Sequence, residues 1–191
     1  MRVIAGKARR LILKSVPGFD TRPTLDKIKE TLFNILAPYI SGSSFLDLFS
    51  GSGSIGIEAL SRGSSFCAFA ENNKQAVKCI QENLAHTHLS DDALVIPKNV
   101  LAAINELSLK GCVFDIVYMD PPYESGYEET VLETLKTSGI INENTLVIIE
   151  ADKHNDFEFL KNSDYTVVRE KIYKSNKHIF LRLNQSQNDM C

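Results

Sequence analysis

The tetrad Asp120-Pro121-Pro122-Tyr123 carries the densest chemistry in the sequence. Its two prolines stiffen the chain and remove N–H donors. What remains is an array of acceptors, the Asp120 carboxylate and the Pro121 carbonyl, beside the aromatic plate of Tyr123. Such an array suits a planar amine. The exocyclic amino group of a nucleobase is a poor nucleophile because its lone pair is delocalised into the ring. Acceptors that grip its two hydrogens bias the nitrogen toward tetrahedral geometry and aim the lone pair at an incoming carbon. Tyr123 would stack on the base, worth about 1–3 kcal/mol, and a base in a duplex or folded RNA must first swing out. Taken alone, the tetrad is also an ordinary Asp-Pro turn.

A second constellation lies upstream. Gly51, Gly53 and Gly56 form G-x-G-x-x-G directly after a short apolar run. Glycine permits a tight turn and close approach of a ligand to the backbone, and the following helix offers free N–H donors. The pattern fits NAD, FAD or S-adenosylmethionine, and also a purely structural turn. Glu71 follows 20 residues after Gly51 and can accept hydrogen bonds from both ribose hydroxyls of an adenosine cofactor. Asp47, just before the glycine turn, would repel a pyrophosphate but suits a cationic amino-acid moiety. That tilts the reading from a dinucleotide to S-adenosylmethionine. No Lys-Ser or Lys-Thr follows Gly56, which excludes a Walker P-loop. Ser50 and Ser54 read as small-residue variants without consequence.

The elements that must position these groups are visible as a change of period. Residues 2–5 and 10–14 read as a small hairpin or extended arm, and Pro17-Gly18 as a turn. Thr24 offers an N-cap to an amphipathic helix over 25–39, with Leu25, Ile28, Leu32 and Leu36 at helical spacing. Thereafter short apolar strands alternate with helices: strands over 45–49, 65–70, 93–96, 113–119 and 145–150, and helices over 55–62, 74–84, 100–109 and 128–138. A helical turn near 156–161 and two final strands, 165–173 and 178–183, joined by a turn at 174–177, complete the chain. This alternation predicts an α/β fold with a parallel sheet covered on both faces, ending in an antiparallel hairpin. The glycine loop and the tetrad then both follow strands, at the carboxyl edge where ligands bind.

The 191 residues suit one domain with a small appendage, and 24% charged residues exclude a disordered polyelectrolyte. No apolar run approaches the roughly 20 residues of a membrane span, and the N-terminus has no secretory signature. Cys67, Cys79, Cys112 and Cys191 contain no C-x-x-C pair. They predict neither a disulfide framework nor a zinc site, and hence a cytoplasmic protein without metal. His86 and His88 read as solvated helix-end residues, while His154 and His178 are scattered. The net charge of −3 conceals an asymmetry. Residues 1–29 hold eight basic and two acidic side chains, a net of +6, against −9 for the rest. A basic arm on an acidic body can contact phosphates, and Arg2, Lys7, Arg9, Arg10 and Arg22 are its candidates. Lys174 and Lys177 lie in a smaller basic cluster near the C-terminus. Charge alone reads equally as ordinary exposed strand faces with lysines blunting the edges.

The order Asp47…Gly51-x-Gly53, Glu71, Asp120-Pro121-Pro122-Tyr123 resembles class I S-adenosylmethionine-dependent amino-methyltransferases. The stretch Arg2-Val3-Ile4-Ala5-Gly6-Lys7, then Thr21-Arg22-Pro23-Thr24, Asp26, Lys27 and Leu32-Phe33-Asn34-Ile35-Leu36, is similar to the RsmD family, bacterial 16S ribosomal RNA guanine-N2 methyltransferases. The resemblance covers roughly residues 1–183. It implies a Rossmann-like seven-stranded sheet, six strands parallel and one inserted antiparallel. It implies that the basic extension over 1–41 meets RNA and that the domain over 42–184 binds the cofactor; the tail over 185–191 matches nothing and reads as frayed. It further implies methyl transfer to one guanine of small-subunit RNA in a ribosomal particle, and the protein is expected to act as a monomer. Gly51 and Gly53 would hold the methionine side of the cofactor, Glu71 the ribose, and Asp120 and Tyr123 the guanine. Many related enzymes place an acid after the third strand for the adenine amino group. This chain has Asn99 there, whose oxygen can accept the same bond, or the Val100 backbone reads the adenine instead.

Three other readings remain open. A DNA or other RNA amino-methyltransferase acting on adenine N6 or cytosine N4 usually needs a separate recognition domain, for which 191 residues leave little room. A dinucleotide oxidoreductase leaves the tetrad without a purpose. A non-catalytic RNA-binding module leaves the glycine loop without one.

Overall fold

The computed structural model describes residues 1–16, 23–122 and 126–185, with only the backbone described for 23–25. Seven strands form one sheet: β1 (Ser44–Leu48), β2 (Phe66–Ala70), β3 (Ala93–Ile96), β4 (Ile116–Met119), β5 (Leu146–Asp152), β6 (Tyr165–Ile172) and β7 (Asn176–Leu183). Their order is β3-β2-β1-β4-β5-β7-β6. All neighbours pair in parallel except β7, which runs antiparallel to both β5 and β6. The chain therefore leaves β1 toward one edge, returns to its other side at β4, and creates a topological switch point between β1 and β4.

Five α-helices cover the faces: α1 (Pro23–Ile40), α2 (Ser54–Ser61), α3 (Lys74–Thr87), α4 (Val100–Leu109) and α5 (Tyr127–Ser138). Their starts follow local chemistry. Asn73 caps α3 by accepting from Gln75 and Ala76 N–H at 2.9 and 3.2 Å, and Asn99 caps α4 through Ala102 N–H at 2.9 Å. The first helix begins at Pro23 rather than after Thr24. Proline suits the first helical position, where its missing N–H has no partner to lose.

The alternation of strand side chains separates two cores. Leu46, Val117, Met119, Val147 and Ile149 pack with Ile104 and Leu132 from α4 and α5. Phe45, Ile116, Tyr118, Ile148 and Phe180 pack on the opposite face with Phe33, Ile57 and Ile80 from α1, α2 and α3. The N-terminal stretch joins this second core through Val3, Ala8 and Leu13. It is hairpin-like, with one antiparallel bridge between Arg2 and Ile12. Glu58 of α2 anchors it, accepting from Ile4 and Ala5 N–H at 2.8 and 3.1 Å and pairing with Arg62 and the buried Lys29.

Further expected boundaries move, among them the end of α3, which runs to Thr87 rather than 84. The fourth strand begins at Ile116 rather than near 113, and Val113 is exposed. The final turn is shorter than 174–177, because Asn176 and Lys177 already belong to β7. Pro17-Gly18 and residues 186–191 lie outside the described residues. Cys67, Cys79 and Cys112 are unbridged, and His86 and His88 are exposed at the end of α3.

Candidate active site

The register Leu48↔Met119 sets the ends of β1 and β4 side by side. The glycine loop that leaves β1 and the Asp120 loop that leaves β4 thus share one crevice at the switch point. In the glycine loop the backbone does most of the shaping. Gly51 and Gly53 adopt positive φ of 55° and 77°, a region that side chains bearing a Cβ rarely enter. Phe49 also has φ 61° and meets the Tyr127 ring edge-on at 6.0 Å. A Cβ on Gly56 would lie 2.3 Å from Phe69 Cε1 and 2.6 Å from Cys67 Sγ, so α2 can sit this close to β2 only at glycine. A Cβ on Gly51 would meet nothing within 4 Å. The loop backbone there faces open space.

Glu71, at the end of β2, ties the loop to the neighbouring strand. Its Oε2 accepts from Gly51 N–H at 2.8 Å and its Oε1 from Asn73 N–H at 2.8 Å. Ser50 has a consequence after all: its hydroxyl donates to Asp47 O at 2.6 Å and lies 3.2 Å from Ala70 O, stitching β1 to β2. Asn83 of α3 was not visible as a site residue. Its amide donates to Ser52 O at 3.0 Å and to Lys14 O at 3.1 Å, while its oxygen accepts from Lys14 N–H at 2.8 Å. One buried side chain therefore joins the N-terminal stretch to the cofactor loop.

Asp47 is buried, and its Oδ2 accepts from Gly56 N–H at 3.0 Å at the start of α2. Burial raises its carboxyl to about 7, against the Gly56 bond and with a further push from Glu71. Asn99 is exposed, but its oxygen serves the α4 cap, leaving one lone pair for another donor. Val100 is buried at the first position of α4, where the backbone N–H has no helical partner.

Asp120 stands exposed at the mouth of the crevice beside the buried Pro121. Although solvent reaches it, the protein around it pushes its carboxyl well above the usual range, and the Glu150 and Asp47 charges push the same way. Glu150 itself goes the other way. Burial would raise it, but donors from His178, Tyr118 and Asn176 together hold it below its ordinary value. Tyr118 OH donates to Glu150 Oε2 at 2.5 Å, His178 Nε2 lies 3.1 Å from the same oxygen, and Asn176 Nδ2 donates to Oε1. Tyr173 OH lies 3.0 Å from His178 Nδ1. Sequence reasoning missed this cluster. His178 looked scattered because its partner Glu150 comes from another strand, 28 residues away in the chain.

Tyr123 and Arg22 lie outside the described residues. Arg9 and Arg10 are exposed. Arg2 and Lys7 are exposed too, in ion pairs with Asp26 at 3.3 Å and Asp92 at 3.2 Å. Such exposed pairs are weak, so a phosphate can replace the carboxylate. Lys174 is exposed. Lys177 must be withdrawn as an RNA contact. It is buried in β7, 2.8 Å from Glu170 and over the Phe157 ring. The shorter turn puts it in an interior strand covered on both faces, where its charge is already neutralised. Among the described residues no group of His, Cys, Asp and Glu could hold a metal ion, and no helix is long and apolar enough to cross a membrane.

Comparison with known proteins narrows what this crevice is. The profile of the family described as Conserved hypothetical protein 95, the RsmD family, matches residues 1–182. The chain belongs to it. Among RsmD relatives, the Escherichia coli protein named Ribosomal RNA small subunit methyltransferase D is 34% identical over 174 residues, covering 90% of this chain and 84% of that one. The Haemophilus influenzae protein of the same name is 35% identical over 172 residues, covering 90% and 88%. The solved structure of the Escherichia coli protein yhhF superposes with a TM-score of 0.82 at 32% identity, covering 96% of this chain and 98% of that one. The expected Rossmann-like class I methyltransferase fold is thus present, and the protein is a methyltransferase.

Proposed function

We propose that this RsmD-family enzyme transfers a methyl group from S-adenosylmethionine to the 2-amino group of one guanine in 16S ribosomal RNA, acting as a cytoplasmic monomer on small-subunit particles. The observation that carries this reading is the shared crevice: the Leu48↔Met119 register brings the glycine loop and the Asp120 loop to one switch point.

The residues present fit the cofactor. The open space beside Gly51 leaves room for a ligand against the backbone. The crevice is acidic, with Asp47 and Glu71 on one side and Asp120 on the other. Each of Asp47 and Asp120 is raised partly by a neighbouring carboxylate. A pyrophosphate would worsen that repulsion, whereas a cationic ligand relieves it, which favours S-adenosylmethionine over a dinucleotide. When bound, S-adenosylmethionine supplies an electrophilic methyl carbon on a sulfonium. Glu71 accepts from the ribose hydroxyls with the lone pairs left over from Gly51 and Asn73. Gly51 and Gly53 let the backbone approach the methionine portion, Asp47 supplies negative potential there, and Asn99 or the Val100 N–H meets the adenine. Asp120 and the Pro121 carbonyl grip the guanine amino group, Pro122 keeps the loop rigid, and Tyr123 stacks on the base. Arg2, Lys7, Arg9, Arg10, Arg22 and Lys174 meet phosphates.

The test is transfer of tritiated methyl from S-adenosylmethionine to small-subunit particles lacking the modification, with nucleoside analysis of the product. N2-methylguanosine supports the reading. Methylated adenosine or cytidine would instead support a different amino-methyltransferase, and no transfer to RNA would overturn it. Asp120→Ala is expected to slow turnover by about 10²–10⁴-fold while S-adenosylhomocysteine binding, read by calorimetry, changes little. Replacing Arg9 and Arg10 with alanine is expected to flatten the salt dependence of RNA binding by about 0.7–0.9 log unit per lost phosphate contact. An unchanged slope would show that these arginines do not touch the backbone.

A further inference from the structure

We propose that Glu150, held as a carboxylate by Tyr118, His178 and Asn176, is a positioning residue that tunes Asp120 to take up the proton shed by the target amine. The inference rests on the reading of Asp120 given above.

Strand periodicity supplies the geometry. Tyr118 and Ile148 belong to the core beneath α1 and α2, so Asp120 and Glu150, each two residues further along, point to the same face. Met119 and Ile149 are paired across the parallel ladder, which sets Asp120 and Glu150 side by side one residue beyond. In β7, His178 pairs with Glu150 and lies on the face of Phe180. A polar band thus crosses the sheet from the mouth of the crevice into its interior. His178 is fully buried, and its two ring nitrogens are both engaged, with Glu150 and with Tyr173.

A carboxylate mostly withdrawn from water persists as an anion when donors satisfy it, and Glu150, its side chain 13% exposed, has three. The charged groups that act on Asp120 are Glu150 from β5 and Asp47 from β1; Tyr118 of its own strand and His178 of β7 bond Glu150, and Tyr173, just beyond β6, bonds His178. Glu150 is the strongest of the charges that raise Asp120. The chemistry has use for that. As the amine lone pair forms the N–C bond, the C–S bond breaks and its electron pair stays on sulfur. The extra proton on nitrogen passes to the Asp120 carboxylate and from there to solvent, which reaches Asp120. An acceptor whose pKa lies nearer the working pH takes that proton more readily than an ordinary carboxylate.

The experiment is the pH profile of kcat on small-subunit particles, alongside S-adenosylhomocysteine binding and thermal unfolding as controls for folding. Glu150→Gln is expected to shift the acidic limb to lower pH by about 1 unit or more and to lower the plateau above it. His178→Leu removes a donor from Glu150 and is expected to shift the limb the same way, whereas His178→Gln, which keeps a donor, restores it. If Glu150→Gln does not fold, Tyr118→Phe removes one donor with little change of shape and is expected to give a smaller shift of the same sign. Folded variants that bind the cofactor product but keep the wild-type limb would overturn the proposal. Near-normal turnover in Asp120→Ala would instead overturn the assignment of Asp120, and this inference with it. A dead Asp120→Ala beside an unmoved limb in Glu150→Gln would overturn the tuning alone.

Discussion

The two walls of the crevice are built on opposite plans. On the cofactor side, between β1, α2 and β2, the shape is made by backbone: left-handed glycines, a helix N-terminus and N–H groups bonded to Glu71. On the acceptor side it is made by side chains. Tyr118, Glu150 and His178 meet across separations of 32 and 28 residues in the chain. The contrast appears in two carboxylates, Asp47 fully and Glu150 mostly withdrawn from water. Asp47 has one backbone donor and is raised to about 7. Glu150 has three side-chain donors and is lowered. Burial sets the size of the penalty, and the number of donors decides its sign.

The sharpest way to break the comparison is to add a single methyl to the backbone-built wall. Gly56→Ala is expected to cost about 1–3 kcal/mol, read as a lower unfolding midpoint, and to weaken S-adenosylhomocysteine binding, because the new Cβ overlaps Phe69 and Cys67. Wild-type stability would mean that α2 can retreat from β2 freely. A somewhat smaller loss is expected for Asn83→Ala, where the cofactor loop leans on a side chain of α3. It removes the partner of Ser52 O and of Lys14 N–H, while Lys14 O keeps Cys79 Sγ at 3.4 Å, at about 1–3 kcal/mol per group left unpaired away from water. Calorimetry should show weaker S-adenosylhomocysteine binding together with the stability loss; intact binding would show that the loop stands alone.

The most diagnostic effect is that of Asp47→Asn, which keeps an acceptor for Gly56. The Asp47 carboxyl titrates near 7 in the folded chain against 3.8 unfolded, so the folded state holds its proton longer. Wild-type stability therefore falls as pH rises through that window. The asparagine variant is expected to match wild type below the window and to exceed it above, in melts followed across pH. Equal midpoints at every pH would show that Asp47 carries no burial penalty.

Much of the backbone wall was legible because its requirements are local. Gly51, Gly53 and Gly56 mark positions where a side chain would strain or collide. The acceptor wall was half legible. The prolines announced a rigid loop at Asp120, but nothing near His178 in sequence names Glu150 as its partner. Lys177 was misread for the same reason: a lysine beside a turn looks solvated until it proves to lie in an inserted antiparallel strand that is itself covered on both faces. Ser50 was passed over because a serine in a glycine loop looks like mere smallness, while its hydroxyl bonds reach Ala70 across the sheet.

What the sequence determined by itself is the alternation of strands and helices, the turn that needs glycines, and an acceptor array fit for an amine, since each depends on neighbours a few residues away. What only the tertiary structure decided is which charges meet. The strand order puts β4 beside β1 and slips β7 between β5 and β6, and that arrangement alone gives Glu150 its three donors and gives Asp120 a charged neighbour. Electrostatics depends on distance through space, and the distance is set by the sheet rather than by the chain.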